Sequence, residues 1–88
     1  MNKIIATNMY FGEALVLLKK NHRMARSGWN GKGMYVALHA PSGKSKMTEP
    51  YLYMSNAQGG LIPWLASQSD VLANDWVFFD EKDVQNCE

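Results

Sequence analysis

A single long amphipathic pattern lies near the start of the chain, and Gly, Pro and Asn divide the sequence after it into short segments. The apolar residues of this pattern recur with helical spacing: Phe11, Ala14, Leu15 and Leu18. We predict a helix from about Tyr10 to Lys20, with Asn8 as its N-cap and Asn21 in the left-handed position after its end. A helix with one apolar face must pack on another element, so the segments that follow decide the fold.

Those segments have the composition and alternation of short strands. Residues 23–26 and 34–39 predict a hairpin around a glycine-rich turn. Residues 51–54 and 61–62 predict a second antiparallel pair, which Pro63 ends because proline cannot donate to a strand ladder.

The end of the chain predicts one short helix and one strand. Ser67 and Asp70 have the spacing of a capping box, and residues 75–79 are apolar enough for a central strand. Residues 1–8 either add an edge strand or fray. We therefore predict one small α+β domain over residues 1–79, with a mainly antiparallel sheet, one amphipathic N-terminal helix and one short C-terminal helix.

The predicted strand at residues 34–39 has two different faces, because neighbouring side chains in a strand point to opposite sides. If Met34, Val36 and Leu38 meet the helix, the alternate residues are open to solvent, ligand or another subunit. On that face we predict His39 to be a solvated surface residue.

Charge is distributed unevenly. The net charge is +1, but residues 80–88 carry four acids and one lysine, whereas residues 1–79 carry eight cations and four acids. We predict that residues 80–88 form a flexible acidic tail. The excess of +4 in the domain suits an anionic ligand and is too small to indicate duplex DNA, whereas single-stranded nucleic acid stays an alternative.

Cysteine content and hydropathy indicate where in the cell the protein is located. Cys87 is the single cysteine, so no intramolecular disulfide can form, in agreement with a reducing cytosol. The sequence shows no secretory signal and no apolar run of membrane-spanning length. We predict a cytoplasmic protein that does not associate with membranes.

Residues typical of enzyme active sites are few. The two histidines are His22 and His39, and no serine or cysteine lies in a nucleophile motif. No group of His, Cys and carboxylate residues has metal-binding spacing. We predict a protein that is not an enzyme and holds neither a metal nor a cofactor.

The glycine-rich turn at residues 26–33 combines three glycines, an indole, an amide and two cations. Glycines bring backbone N–H groups close to a guest, Trp29 offers a face for a base, and Arg26 and Lys32 offer charge to a phosphate. This pattern predicts half of a binding site for a small nucleotide-like molecule. On the turn alone, however, a Trp29 that fills the core is the favoured interpretation.

Three further rings bear on this site. Phe11 begins the first helix and Trp64 precedes the second, and the N–H groups at both helix starts can meet an anion. For Trp64, a ligand contact and a core position are equally favoured. Trp76, which precedes Val77 and Phe78, is expected in the core.

Three blocks occur in order along the chain: YFGEAL at residues 10–15, ARSGWNGKGM at residues 25–34 and IPWLASQSDVLANDW at residues 62–76. Together they resemble the phage Thoeris anti-defence type 2 family, whereas residues 40–60 carry little of the resemblance. The resemblance implies a small α+β protein that forms homotetramers, with ligand pockets between subunits, in the cytoplasm of the host bacterium.

The function implied by the resemblance is that of a sponge. Such a protein binds and sequesters glycocyclic ADP-ribose, a cyclic ADP-ribose isomer that a host TIR-domain enzyme makes on infection, without cleaving it. The resemblance also implies, for some relatives, a second site for cyclic oligonucleotide signals. The alternatives are a module that binds single-stranded nucleic acid and an adaptor that inhibits a host protein directly.

The resemblance also suggests ligand-binding residues within the matching blocks. The rings expected to pack on base and ribose are Phe11, Trp29 and Trp64. The residues expected to make polar contacts are Arg26, Asn30, Ser67, Gln68 and Asp70. Asp70 suits a ribose hydroxyl, although any of these side chains can instead hold the fold.

Overall fold

The computed structural model describes residues 4–29 and 33–82 and contains one sheet and two helices in that part of the chain. In chain order the elements are β1 (Ile4–Met9), α1 (Phe11–Lys19), β2 (His22–Arg26), β3 (Tyr35–His39), β4 (Tyr51–Ser55), β5 (Leu61–Pro63), α2 (Gln68–Leu72) and β6 (Trp76–Lys82). The strand order is β1-β6-β2-β3-β4-β5, and each neighbouring pair is antiparallel. The predicted α+β class is confirmed.

Helix α1 lies where the apolar pattern predicts it, but its cap differs from the prediction. Tyr10 is the N-cap, and its N–H donates to the Glu13 carboxylate Oε1 at 3.0 Å. Asn8 instead has a φ of 57° where β1 slips in register against β6. Asparagine tolerates this left-handed conformation, as does Asn21, which has a φ of 70° after the helix as predicted.

The strand order accounts for the apolar composition of the last strand. β6 lies between β1 and β2, which confirms the predicted central position, and β1 is an edge strand. In the predicted hairpin of β2 and β3, Met24 is opposite Val36. β6 runs to Lys82, past residue 79. The predicted boundary between domain and tail stays a prediction, because residues 83–88 lie outside the described part.

The hydrophobic core lies between the sheet and α1. Its fully buried members are Ala14, Leu18, Met24, Val36 and Trp76. The Trp76 indole N–H donates to the Asp70 carbonyl oxygen at 3.0 Å. This bond gives the buried indole its partner and joins β6 to α2, and it confirms that Trp76 fills the core.

The opposite face of the sheet is more covered than the alternation in β3 predicts. Ala37 is fully buried and lies opposite Tyr53 in the register of β3 and β4. His39 is 9% exposed, and its ring lies 5.4 Å from that of Tyr51 and 6.4 Å from that of Tyr53. The prediction of a solvated His39 was therefore wrong, because tyrosines on the neighbouring strand extend over the small and medium side chains of β3.

Val36→Ala tests the core without touching the candidate ligand-binding residues. Val36 is fully buried in β3, so truncation removes two methyl groups and leaves a cavity. We expect the free energy of unfolding to fall by about 2 kcal/mol, and the melting temperature by about 10 °C for a domain of this size. Urea and thermal unfolding measure both quantities. A loss below about 0.5 kcal/mol would mean that the site collapses around the smaller side chain.

Candidate functional site

Arg26 lies at the end of β2 and contacts two carboxylates that are far from it in sequence. Its Nη1 donates to Asp70 Oδ1 and its Nε donates to Asp75 Oδ1, each at 2.9 Å. The side chains of Arg26, Asp70 and Asp75 are 21%, 11% and 26% exposed. We call these three residues the Arg26 cluster. One cation and two carboxylates give it a net charge of −1.

The hydrogen bonds within this cluster favour the charged forms of all its members. Bonds to both carboxylates raise the pKa of Arg26. Burial alone would raise the pKa of Asp70, but hydrogen bonds from the Ser67 backbone, Arg26 and the Ser67 hydroxyl outweigh it and lower that pKa. The Arg26 hydrogen bond lowers the pKa of Asp75. At neutral pH the cluster is therefore fully ionised.

Asp70 also completes the start of α2. The Ser67 N–H and hydroxyl donate to Asp70 Oδ2 at 3.0 and 2.9 Å, and Ser67 Oγ accepts from the Asp70 N–H at 3.1 Å. The predicted capping box is confirmed. Because Asp70 is 8% exposed and both its carboxylate oxygens have donors, its contact with a ribose hydroxyl stays a prediction.

Asp75 fixes the backbone at the entrance of the glycine-rich turn. Its Oδ2 accepts from the Gly28 N–H at 3.1 Å, and its carbonyl oxygen accepts from the Ser27 N–H at 3.0 Å. The Trp29 N–H then donates to the Arg26 carbonyl oxygen at 3.2 Å, which closes a turn. Residues 30–32 lie outside the described residues, so the predicted contact from Asn30 is not located.

Four aromatic rings form a connected group at the edge of the core, around its buried member Trp76. The centroid of Trp76 lies 5.4 Å from that of Phe11, 5.6 Å from Trp29 and 6.1 Å from Trp64. Trp64 completes the group at 6.5 Å from Phe11 and 6.4 Å from Trp29. Phe11, Trp29 and Trp64 are half-buried, so the three rings predicted for ligand packing lie together around the buried Trp76.

A largely apolar groove of about 470 Å³ opens beside this group, between α1, the start of β4 and the segment after β5. Its lining consists of Phe11, Leu15, Leu18, Lys19, Leu38, Pro50, Tyr51, Leu52, Trp64, Leu65 and Ala66. Among these described residues, Lys19 is the one with a charged side chain. The volume is within the range of small-molecule sites, which are typically apolar with a few polar groups.

The predicted site residues divide between the groove and the cluster. Phe11 and Trp64 line the groove. Arg26 and Asp70 belong to the Arg26 cluster, Ser67 caps α2, and Trp29 lies in the glycine-rich turn, where its ring contacts that of Trp64. Gln68 is the exposed first residue of α2. Trp64 is the residue that touches both parts, and its N–H is fixed by the Leu52 carbonyl oxygen at 3.1 Å.

The sequence did not single out Lys19, Tyr51, Leu65 or Asp75 for this region. Lys19 lies in the last turn of the predicted helix, where a cation is common, Asp75 begins the predicted last strand, and Tyr51 lies in the segment that carries little of the resemblance. A signal was available for Asp75, because an acid beside a predicted central strand needs a cationic partner when half-buried. The partner itself depends on how β2 pairs with β6.

The described residues form neither a metal site nor a membrane-spanning helix. Within residues 4–29 and 33–82, no three His, Cys, Asp or Glu side chains are placed to hold a metal ion together. Neither helix in the same ranges has the length and apolar character needed to cross a membrane.

Comparison with known proteins gives two matches that cover most of the chain. A family model described as the Thoeris anti-defense 2-like domain matches residues 9–79. The protein named Thoeris anti-defense 2 of Bacillus phage SP01 is 36% identical over an alignment of 83 positions, which covers 80% of this chain and 93% of that protein. The family model spans α1, the glycine-rich turn and the capped start of α2.

Proposed function

The chain belongs to the Thoeris anti-defense 2-like family, whose members are phage anti-defence proteins, and we propose that it acts by binding a nucleotide signal without cleaving it. The proposed ligand is glycocyclic ADP-ribose, the cyclic ADP-ribose isomer that a host TIR-domain enzyme makes on infection. Sequestration in the host cytoplasm keeps the signal from its effector. This role requires no catalytic residue, metal or cofactor.

The observation that carries the proposal is the groove with aromatic walls. Phe11 and Trp64 line it together with aliphatic side chains, and its lining is mainly apolar. Stacking of a base on an aromatic side chain contributes about 1–3 kcal/mol and does not depend on base identity. We therefore infer that the groove takes the base and that its walls exclude water from it.

The phosphates of the signal need cations, and the described part of one subunit offers few at this place. Lys19 lies at the groove. Arg26 is already bonded to two carboxylates, and the net charge of its cluster is −1. We infer that a neighbouring copy of the chain supplies further donors, which supports the proposed homotetramer with ligand sites between subunits.

Exposed apolar side chains support the same arrangement. Leu61 in β5, Leu65 at the groove and Leu72 in α2 are 64%, 91% and 79% exposed. Single exposed leucines are common, but Leu65 adds exposed apolar surface to an apolar groove, which is typical of an interface. A particle of four chains by native mass spectrometry or light scattering is the expected result.

The proposal is tested by calorimetry with purified glycocyclic ADP-ribose. A stoichiometric sponge must hold its ligand tightly, and nanomolar affinity corresponds to about 12 kcal/mol. We expect saturable binding in that range, and release of chemically unchanged ligand when the protein is heat-denatured. Recovery of a chemically altered product would show that the protein is an enzyme.

Two other outcomes would replace the proposal. Absence of saturable binding, together with salt-sensitive and length-dependent affinity for oligonucleotides, would favour the single-stranded nucleic-acid module. Absence of both, with specific retention of a host protein, would favour the adaptor. Titration with cyclic oligonucleotides in the presence of saturating glycocyclic ADP-ribose tests the second site, since an independent site binds with unchanged affinity.

A further inference from the structure

We propose that Asp75 is the positioning residue of the binding site: it fixes the entrance of the glycine-rich turn and thereby sets the place of the Trp29 ring against Trp64. The effect on ligand affinity rests on the proposed function. The effect on the turn itself does not, because it follows from contacts within the chain.

Asp75 forms hydrogen bonds with one short segment of the chain, residues 26–28. Its carboxylate accepts from the Arg26 guanidinium at 2.9 Å and from the Gly28 N–H at 3.1 Å. Its carbonyl oxygen accepts from the Ser27 N–H at 3.0 Å. Asp75, which directly precedes β6, therefore holds three consecutive residues of the turn by three hydrogen bonds.

Gly28 shows how closely the carboxylate approaches the backbone. A Cβ atom added to Gly28 would lie 3.0 Å from Asp75 Oδ2, which is too close for a relaxed contact. The absence of a side chain at Gly28 thus permits the bond between the Asp75 carboxylate and the Gly28 N–H. The close approach of the Asp75 carboxylate explains the glycine at position 28, because the backbone there does not have a positive φ.

The ring that follows this anchor lies against a ring that lines the groove. Trp29 is the next residue after Gly28, and its centroid lies 5.6 Å from that of Trp76 and 6.4 Å from that of Trp64. Trp64 in turn lines the groove. A small shift of the turn backbone therefore changes the contact between the Trp29 and Trp64 rings, because edge-to-face ring contacts depend on orientation.

The experiment compares Asp75→Asn, Asp75→Ala and Gly28→Ala with two controls. Glu49→Gln removes a carboxylate from an exposed loop position. Val36→Ala lowers stability from within the core. Two readouts are used on each variant: the exchange rate of the Gly28 amide together with NMR contacts between the Trp29 and Trp64 rings, and the affinity for glycocyclic ADP-ribose.

We expect both Asp75→Ala and Asp75→Asn to speed exchange of the Gly28 amide, by about tenfold in Asp75→Ala. The Asn amide has one acceptor oxygen, which is expected to stay with the charged Arg26 guanidinium, so Gly28 loses its acceptor in both variants. Contacts between the Trp29 and Trp64 rings are expected to weaken in both. Affinity is expected to fall by about tenfold in Asp75→Ala. The controls are expected to leave the amide, the ring contacts and the affinity unchanged.

A double-mutant cycle separates positioning from general stability. If Asp75 acts through Gly28, the combination of Gly28→Ala and Asp75→Ala weakens binding by clearly less than the product of the two single effects. Fully multiplicative effects, or unchanged ring contacts in Asp75→Ala, would overturn the inference. If the unaltered protein fails to bind the signal, the proposed function fails, while the amide and ring readouts still decide the role of Asp75.

Discussion

Trp64→Ala is expected to weaken the binding of glycocyclic ADP-ribose by about 100-fold, the equivalent of roughly 2–3 kcal/mol of lost stacking and water exclusion. Trp64 is the single described residue that lines the groove and also contacts Phe11, Trp29 and Trp76. Its removal opens the groove towards the glycine-rich turn. Calorimetry well below the melting temperature measures the loss.

The same substitution also costs stability, so a matched comparison is needed. Trp64 is half-buried, and we expect its truncation to lower the free energy of unfolding by about 2 kcal/mol. Val36→Ala has a similar expected cost and does not alter the groove lining. An affinity that falls in Trp64→Ala and not in Val36→Ala identifies the ring as a ligand contact.

Trp64→Phe refines this test, because it keeps a ring in the groove. We expect it to retain most of the affinity, within about tenfold of the unaltered protein, since a smaller ring still stacks on a base. Unchanged affinity in Trp64→Ala would show that Trp64 only fills the core. The bound base would then have to lie outside the groove, and the observation that carries the proposed function would be lost.

The fold was largely predictable because its determinants are local. The spacing of Phe11, Ala14, Leu15 and Leu18 sets one face of α1, and turn residues mark the ends of most strands. Trp76 was predictable as a core residue from its apolar neighbours. His39 was not, because its burial comes from Tyr51 and Tyr53 on the next strand, and local alternation contains no information on the size of side chains across a sheet.

The candidate site was predictable as a set of residue types rather than as an arrangement. Arg26 and Asp70 were selected as independent polar contacts to a ligand, but they bond each other across 44 positions of sequence. Asp75 joins them across 49 positions. Both contacts depend on the pairing of β2 with β6, which spacing alone does not reveal. The groove likewise combines residues from α1, β4 and the segment after β5.

Arg26→Met is expected to cause a large loss of stability, because it leaves two carboxylates facing each other without their cation. Removal of one member of a well-buried ion pair typically costs about 3–5 kcal/mol. The Arg26 cluster is partly exposed, so we expect the free energy of unfolding to fall by about 2–3 kcal/mol at neutral pH. Urea unfolding measures this loss, and Arg26→Lys, which keeps the charge but not the forked geometry, is expected to recover part of it.

Arg23→Met provides the matched control for charge and size. Arg23 lies in the same strand, with its guanidinium carbon 4.4 Å from the centroid of the Tyr35 ring. Such a stacking contact contributes about 0.5–1 kcal/mol when partly exposed. A loss in Arg26→Met no larger than in Arg23→Met would show that water already compensates the two carboxylates, and that the cluster contributes little to folding.

The pH dependence of stability distinguishes loss of the ion pairs from loss of packing. In the unaltered protein the pKa values of Asp70 and Asp75 are lowered from their ordinary value of 3.8. Their contribution to stability is therefore complete above that value and is lost as the pH falls through the lowered pKa values. In Arg26→Met the loss of the arginine bonds raises both pKa values towards the ordinary value, while the bonds from Ser67 and Gly28 remain. The stability difference between the two proteins is therefore expected to shrink as the pH falls from neutral to about 3, because the unaltered protein loses the contribution of its ion pairs there. A stability difference between Arg26→Met and the unaltered protein that stays constant over this range would attribute the loss to packing of the arginine stem rather than to its charge.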